Sequence, residues 1–161
     1  MAAVYLICGK ICSGKSTLAK SLAREKSAVI LSCDEIMTLF PQPDGDEAYA
    51  AVSEKVKSLL LRKAADIIAC GANVILDWGF WYKAERAEIA AFFAEKRVPF
   101  SWYYLDISDA RLRENIACRN AHPGPSDYFV DEGLLQKCLS RFQSPDAEEA
   151  RSWQVIRCDR Q

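Results

Sequence analysis

The sequence predicts an α/β fold in which helices cover both faces of a parallel sheet. Two observations support this prediction. Five short runs rich in β-branched and aromatic residues alternate with segments of helical periodicity, an order typical of βαβ units with right-handed crossovers. The first three runs are almost continuously apolar, as is usual for parallel strands buried on both faces. At 161 residues we expect one domain spanning residues 1–161.

The predicted elements follow one another with short connections. Strands are predicted at residues 2–8, 28–33, 73–77, 100–106 and 153–158. A helix begins near Lys15, and apolar residues from Val52 to Ile68 repeat at helical spacing until Gly71, which is placed to end that helix. Further helices are predicted near 82–97, 109–120 and 130–142. The turn-rich stretches 41–47 and 120–127 predict loops beside a site.

Composition excludes several classes of protein. With 21 basic and 22 acidic residues the net charge is -1, so no general affinity for nucleic acid or anionic membrane is expected. Seven cysteines without a CxxC pair, and the single histidine His122, predict neither a disulfide framework nor a zinc site. No apolar run approaches the ~18 residues that span a bilayer. We therefore expect a cytoplasmic protein with reduced thiols and no membrane partner.

The most informative motif is GKICSGKS, which matches GxxxxGK[ST] between a predicted strand and a predicted helix. Gly9 and Gly14 allow the backbone to approach phosphate oxygens closely. The helix start contributes its positive end. Lys15 is predicted to reach the outer phosphates, and the Ser16 hydroxyl to bind Mg²⁺. The predicted nucleotide-binding residues of this phosphate loop (P-loop) are Gly9, Lys10, Ile11, Cys12, Ser13, Gly14, Lys15, Ser16 and Thr17.

Three aspartates stand at or just beyond the carboxyl ends of predicted strands: Asp34, Asp77 and Asp106. Ligands of open parallel sheets bind along this edge. A carboxylate there can hold the Mg²⁺ shell or accept the proton of an attacking hydroxyl. Asp77 ends the apolar run NVILD and is the predicted metal residue, with Asp106 as the alternative. Asp34 fits either a helix N-cap or a general base, and the residues alone leave both open.

Over nearly its whole length the chain resembles the small P-loop kinases described as AAA-type ATP-binding proteins. This group is similar to chloramphenicol phosphotransferase, zeta toxins and the kinase domain of polynucleotide kinase. The stretches that carry the resemblance are GKICSGKST, LSCDEI, ILDWGFWYKAERAEI, LRENIACRNAHP and VDEGLLQKCLSRFQSPDAEE. The resemblance implies a P-loop NTPase fold with five parallel strands in the order 2-3-1-4-5. It also implies ATP, rather than GTP, as the nucleotide, and Mg²⁺ as the metal.

The resemblance also assigns roles near the transferring phosphate. It favours Asp34 as the general base and makes residues 109–128 a short helical lid. Arg119 would reach the phosphates from this lid, which suits a reaction that spreads negative charge over oxygens. Arg113 is the second lid candidate and Arg111 is expected to be solvated. The alternative for all three arginines is ion pairing on a helix surface.

Two departures from the polynucleotide kinase pattern remove positive charge. Met37 stands where that pattern has an arginine that holds a nucleic-acid phosphate, and Asn115 replaces an arginine of the lid. Both changes argue against a DNA or RNA substrate.

The aromatic run DWGFWY follows the third strand and is the most individual feature of the chain. Trp78 and Trp81 are tentative substrate-binding residues that would stack on a planar or sugar-like group, and the alternative is that they pack under the next helix. Arg86 would bind an anionic acceptor or pair with a neighbouring glutamate.

The expected function is therefore transfer of the γ-phosphate of ATP to a hydroxyl of a small molecule, with Asp34, Lys15 and Arg119 as catalytic residues. The alternatives are a nucleoside or polynucleotide 5′-hydroxyl kinase and an ATP-dependent switch without a small-molecule acceptor.

Overall fold

The structure, a computed structural model, contains one five-stranded parallel sheet flanked by helices. It describes residues 1–41, 44–124 and 127–159. The strands are β1 (Val4–Gly9), β2 (Ala28–Ser32), β3 (Asn73–Gly79), β4 (Phe100–Asp106) and β5 (Gln154–Arg157). All pairs are parallel and the order is β2-β3-β1-β4-β5. Both the sheet class and the order implied by the resemblance are confirmed.

Seven helices connect these strands within the described residues. They are α1 (Lys15–Lys26), α2 (Cys33–Met37), α3 (Asp46–Ala69), α4 (Lys83–Glu95), α5 (Asp109–Ala121), α6 (Glu132–Arg141) and α7 (Ala147–Ala150). The predicted helices are present within a few residues of their predicted bounds, except that α3 begins earlier than its apolar pattern does. Residues 42–43 and 125–126, which belong to the two predicted turn-rich stretches and partly to the predicted lid, lie outside the described residues.

Alternation along the central strand distributes its side chains to two cores. Leu6 faces a core built with α3 and α4, which includes Leu60, Phe93 and Trp102. Ile7, the next residue, faces the opposite core with Leu22 of α1. Strand residues one apart point to opposite faces of a sheet, so both faces of β1 are buried and the strand lies at the centre of the domain.

A third apolar cluster lies above the carboxyl edge of the sheet. It joins Ile11 of the P-loop to Leu112 and Ile116 of α5 and to Leu135 of α6. This cluster positions α5 and α6 over the loop that follows β1, where the predicted lid begins.

All seven cysteines have free thiols. Within the described ranges, no helix combines the length and the apolar composition needed to cross a membrane.

Candidate active site

The loop between β1 and α1 has the shape of a phosphate cradle. A Cβ added to Gly9 would lie 2.7 Å from Ser13 Oγ, and Gly14 has φ 97° at the N-cap of α1. Both positions therefore require glycine, for space and for backbone conformation respectively. Cys12 also has a positive φ of 54°. Ser13 Oγ is buried without a hydrogen-bond partner among the described residues, and this orphaned donor fits a loop shaped to receive phosphate oxygens.

The side chains of the loop divide between packing and charge. Ile11 is buried under α5 and α6, whereas Thr17 is exposed on the first turn of α1. Lys10 Nζ lies 2.8 Å from Asp109 Oδ1, so this lysine ties the loop to the start of α5. Lys15 Nζ donates to the Lys10 carbonyl at 2.6 Å. The ammonium group thus lies across the cradle, where its hydrogen bond to the Lys10 carbonyl can be replaced by one to a phosphate oxygen.

Asp77 lies beside the first residues of α1, in a bulged part of β3. Leu6 pairs with Leu76 and Cys8 with Gly79, so three steps on β3 oppose two on β1. Bulges re-aim side chains near active sites. Asp77 is only 5% exposed; burial raises its pKa, and the positive charge of Lys15 and a hydrogen bond from Ser16 oppose that rise. Asp106, the alternative, is exposed at the end of β4, so the contact with Ser16 favours Asp77.

Asp34 lies in the first turn of α2, directly after β2, the strand that pairs with β3 and its residue Asp77. Ser32, the last residue of β2, pairs with Asp77, and the negative charge of Asp34 contributes to the raised pKa of Asp77. The N-cap of α2 is Ser32, whose Oγ accepts from the Glu35 amide at 3.3 Å. The N-cap alternative for Asp34 is therefore wrong. Its exposed carboxylate makes no hydrogen bond or ion pair with the described residues.

Arg119 reaches the P-loop from the last turn of α5. Its Nη1 donates to Cys12 Sγ at 3.1 Å, and its Nε lies 3.1 Å from Asp127 Oδ1, close as an ion pair although not aligned for a hydrogen bond. The guanidinium carbon lies 4.9 Å from the ring centre of Tyr128. A cation is thus held at the open side of the cradle, where phosphate charge is expected.

The other predicted lid arginines point elsewhere. Arg113 pairs with Glu132 of α6, with Nη2 and Oε1 2.8 Å apart on the exposed surface, and Arg111 pairs with Glu114. Arg113 and Arg111 therefore form surface ion pairs in this structure, which is the alternative to binding phosphate. Asn115, one turn before Arg119, donates to the Cys12 carbonyl at 3.1 Å. The sequence did not predict this contact between α5 and the P-loop; it indicated only that Asn115 replaces an arginine of the lid.

Arg86 requires a correction. It is 2% exposed and pairs with Glu149 through Nε–Oε1 and Nη2–Oε2 contacts of 2.8 and 2.9 Å. Its Nη1 donates to the carbonyls of Phe80 and Gln143. The guanidinium is fully used in joining the β3–α4 loop to Gln143 and to Glu149 of α7, so it does not face an acceptor. Nor does it pair with the adjacent glutamates that were the other expectation.

The first two aromatic residues of the run DWGFWY, Trp78 and Phe80, are buried. Trp78 is 8% exposed and its ring centre lies 5.0 Å from that of Phe80 within the main core. Trp81 packs against the cluster beneath α5 and α6. Trp78 is thus part of the core, which corrects the stacking expectation for this residue, whereas Trp81 is only partly buried and its role in substrate binding stays a prediction.

The charge of Asp34 acts on two tyrosines from distant segments: Tyr49 on α3 and Tyr128 after α5. Burial of each hydroxyl raises its pKa, and the charge of Asp34 raises it further. Neither residue belongs to a motif. The turn-rich stretch 120–127, which predicts a loop beside a site, ends directly before Tyr128.

The oxygen atoms of Ser16 and Asp77 fit a magnesium ion whose other ligands are nucleotide phosphates and water. No group of three or more metal-ligating side chains occurs among the described residues. Mg²⁺ characteristically uses one or two protein groups together with substrate phosphates and water. The Ser16 hydroxyl acts on Asp77 at the end of the cradle and opposes the rise of its pKa, and these two groups match this pattern.

The sheet order and the phosphate cradle between β1 and α1 define a P-loop NTPase fold. The model of a family described as AAA domain matches residues 4–145, and the chain belongs to that family.

Three solved structures show the same fold. A sugar kinase from Janibacter is 17% identical with a TM-score of 0.69, and the alignment covers 98% of this chain and 86% of that one. A gluconokinase from Sinorhizobium meliloti is 18% identical (TM-score 0.66; 99% and 84% covered). The APS kinase of Mycobacterium tuberculosis, in complex with AMPPNP and APS, is 18% identical (TM-score 0.68; 99% and 90% covered). No curated protein sequence matches the chain.

Proposed function

We propose that this protein is an ATP- and Mg²⁺-dependent phosphotransferase that moves the γ-phosphate of ATP to a hydroxyl of a small molecule. The observation that carries the proposal is the position of Asp34. Its exposed carboxylate pairs with none of the described residues, and it lies in the first turn of α2, directly after the strand that pairs with β3, where its charge acts on Asp77. A general base belongs within reach of the acceptor hydroxyl, and a switch that only binds ATP has no need of one at this edge.

Each side chain has a distinct task in this mechanism. Bound ATP supplies the phosphoryl group, and Mg²⁺ offsets the charge on its phosphates. Ser16 and Asp77 would hold the metal and its waters. Asp34 accepts the proton of the acceptor hydroxyl as the new oxygen–phosphorus bond forms and the bond to the ADP oxygen breaks.

Two cations stabilise the charge that this transfer spreads over oxygen atoms. Lys15 leaves the Lys10 carbonyl for the phosphates, and Arg119 moves the short distance from Cys12 Sγ onto the same oxygens. Lid closure over residues 109–128 would also exclude water, which would otherwise compete as an acceptor.

The solved structures of the same fold support this class of reaction without naming the acceptor. They include a sugar kinase, a gluconokinase and an APS kinase. A polynucleotide acceptor is disfavoured because Met37 is buried where the resemblance would place an arginine.

The test is transfer of labelled γ-phosphate from ATP–Mg²⁺ to a panel of alcohols, run with wild type and Asp34→Asn. Loss of a general base lowers such rates by about 10²–10⁴-fold, and ATP binding should stay unchanged because Asp34 does not contact the cradle. Glu35→Gln, which removes the adjacent exposed carboxylate of α2, is the matched control. Transfer that survives in Asp34→Asn would refute the assignment of the base. ATP binding without transfer in wild type would favour the switch.

A further inference from the structure

The helix α5 contacts three consecutive residues in the first half of the P-loop. Near the start of the helix, Asp109 Oδ1 lies 2.8 Å from Lys10 Nζ. The side chain of Ile11 is buried in the apolar cluster that it shares with α5 and α6. Later in the same helix, Asn115 Nδ2 donates to the Cys12 carbonyl at 3.1 Å. The conformation of this part of the loop is therefore coupled to α5.

The turn at the centre of the P-loop places Cys12 where glycine is favoured. The Ser13 amide donates to the Lys10 carbonyl at 3.3 Å and closes a four-residue turn. Cys12 is the third residue of this turn and has φ 54°. Type II turns require a positive φ at the third residue and therefore favour glycine there. Because a Cβ makes this left-handed backbone unfavourable, the turn depends on contacts from outside it.

Both ends of the peptide unit between Cys12 and Ser13 are held by hydrogen bonds. Its N–H donates to the Lys10 carbonyl within the turn, and its carbonyl accepts from Asn115. Arg119 also reaches Cys12, but its Nη1 donates to the sulfur at 3.1 Å, and a side chain can rotate without changing the turn. Of these contacts, the one from Asn115 therefore holds the backbone of the loop from outside the turn.

We propose that Asn115 is a positioning residue for nucleotide binding, which holds the P-loop in its phosphate-binding conformation against the preference of Cys12 for a negative φ. This inference rests on the ATP binding, and not on the transfer, of the proposed function. When only part of the protein has the binding conformation, the measured dissociation constant rises in inverse proportion to that fraction. Loss of the Asn115 hydrogen bond should therefore weaken ATP binding through the loop.

The test compares the effect of Asn115→Ala in three backgrounds. Binding of a non-hydrolysable ATP analogue with Mg²⁺ is measured by isothermal titration calorimetry. In the wild-type background, Asn115→Ala should weaken binding about three- to tenfold, the size expected for loss of one hydrogen bond. In the Cys12→Gly background the effect should be much smaller, because glycine adopts a positive φ without help. In the Cys12→Ala background, which lacks the sulfur but keeps the Cβ, the full effect should remain.

Hydrogen exchange of the Ser13 amide, followed by NMR, measures the turn without a nucleotide. This amide closes the turn, so its exchange reports how often the turn opens. We expect Asn115→Ala to accelerate the exchange about three- to tenfold, and Cys12→Gly to restore slow exchange in the double variant. Glu114→Ala is the control, because Glu114 is the preceding, exposed residue of α5. Alanine is the better helix former in both variants, so neither is expected to unfold α5.

Four outcomes would overturn the inference. They are equal effects of Asn115→Ala in the wild-type and Cys12→Gly backgrounds, loss of the effect in Cys12→Ala, equal results for Asn115→Ala and Glu114→Ala, and a Ser13 amide that exchanges in wild type as fast as in an unfolded chain.

Failure of the proposed function has a different signature. If the wild-type protein bound ATP but transferred phosphate to no alcohol, the kinase would be refuted, and an effect of Asn115→Ala that Cys12→Gly suppresses would still establish the role of Asn115. If transfer depended on Asp34 and Asn115→Ala left ATP binding unchanged, the kinase would be retained and the role of Asn115 refuted. A wild-type protein that bound no ATP would refute both.

Discussion

The buried ion pair of Arg86 with Glu149 allows a quantitative test of what holds the site together. The two side chains are 1% and 16% exposed, and the guanidinium also donates to the Phe80 and Gln143 carbonyls at 3.1 and 2.9 Å. Removing one partner of a buried pair leaves the other charge uncompensated, at a cost of about 3–5 kcal/mol. We expect Arg86→Met to lower the free energy of unfolding by about this amount, which is large against the roughly 5–15 kcal/mol typical of a domain.

A double variant separates the charge from the packing. Arg86→Met combined with Glu149→Met removes both charges and retains apolar volume, so it should recover a large part of the lost stability. The exposed pair of Lys83 with Asp146 joins the same two segments and is the control. Solvent screens that pair, so Lys83→Met should change stability little.

The measurement is urea denaturation followed by far-UV circular dichroism, with the free energy of unfolding extrapolated to water. Fluorescence adds a local signal, because the Arg86 guanidinium lies 5.9 Å from the ring of Trp153. The reasoning would be refuted by a loss of less than about 1 kcal/mol in Arg86→Met, the level of an exposed pair. It would also be refuted if the double variant lost as much as the two single variants combined.

The same pair predicts how stability depends on pH. The hydrogen bond from Arg86 lowers the pKa of Glu149 below its ordinary value of 4.5. A depressed pKa in the folded state contributes stability that is present above the unfolded-state pKa and is lost as the pH falls through the folded-state pKa. Below about pH 4.5, unfolding free energy should therefore fall more steeply in wild type than in the double methionine variant. Parallel slopes would exclude this coupling.

Two further predictions concern a pair of glycines with positive φ and the two candidate metal residues. Gly79 and Gly71 have φ of 88° and 86°, but a Cβ would lie 2.6 Å from Trp81 Nε1 at Gly79 and would meet nothing within 4 Å at Gly71. In urea denaturation, Gly71→Ala should lower the free energy of unfolding by roughly 1–2 kcal/mol because of its left-handed backbone. Gly79→Ala should lower it distinctly more, because the new Cβ also meets Trp81. Equal losses would show that the indole of Trp81 moves aside freely. Asp77→Asn should raise the Mg²⁺ concentration required for half-maximal transfer by about 10–100-fold, whereas Asp106→Asn should leave it unchanged. The reverse pattern would return the metal to Asp106.

The parts of the fold that could be predicted from sequence are those specified by neighbouring residues. The strand–loop–helix unit around Gly9 and Lys15, the end of α3 before Gly71 and the strands that end near Asp77 and Asp106 all depend on local periodicity, glycine conformation and apolar runs. Such signals lie within a few residues of the element that they define. The strand order was available only through the resemblance, because pairing between strands depends on distant segments.

The contacts of side chains could not be predicted from the sequence where their partners lie far away in the chain. For Arg86 the sequence left two predicted partners open, an anionic acceptor and a neighbouring glutamate. In the structure its partner is Glu149, 63 residues later. Trp78 looked suitable for stacking, but the packing of α3 and α4 against β3 encloses it.

By itself the sequence determined the parallel α/β class, the phosphate cradle and the aspartates at its edge, because each follows from residue types at short, fixed spacings. Only the tertiary structure decided which polar and aromatic groups remain accessible beside them. It buried Arg86 against Glu149 and left Asp34 exposed in the first turn of α2. The physical reason is that burial and ion pairing are settled when distant segments meet, and no local pattern along the chain records which segments those are.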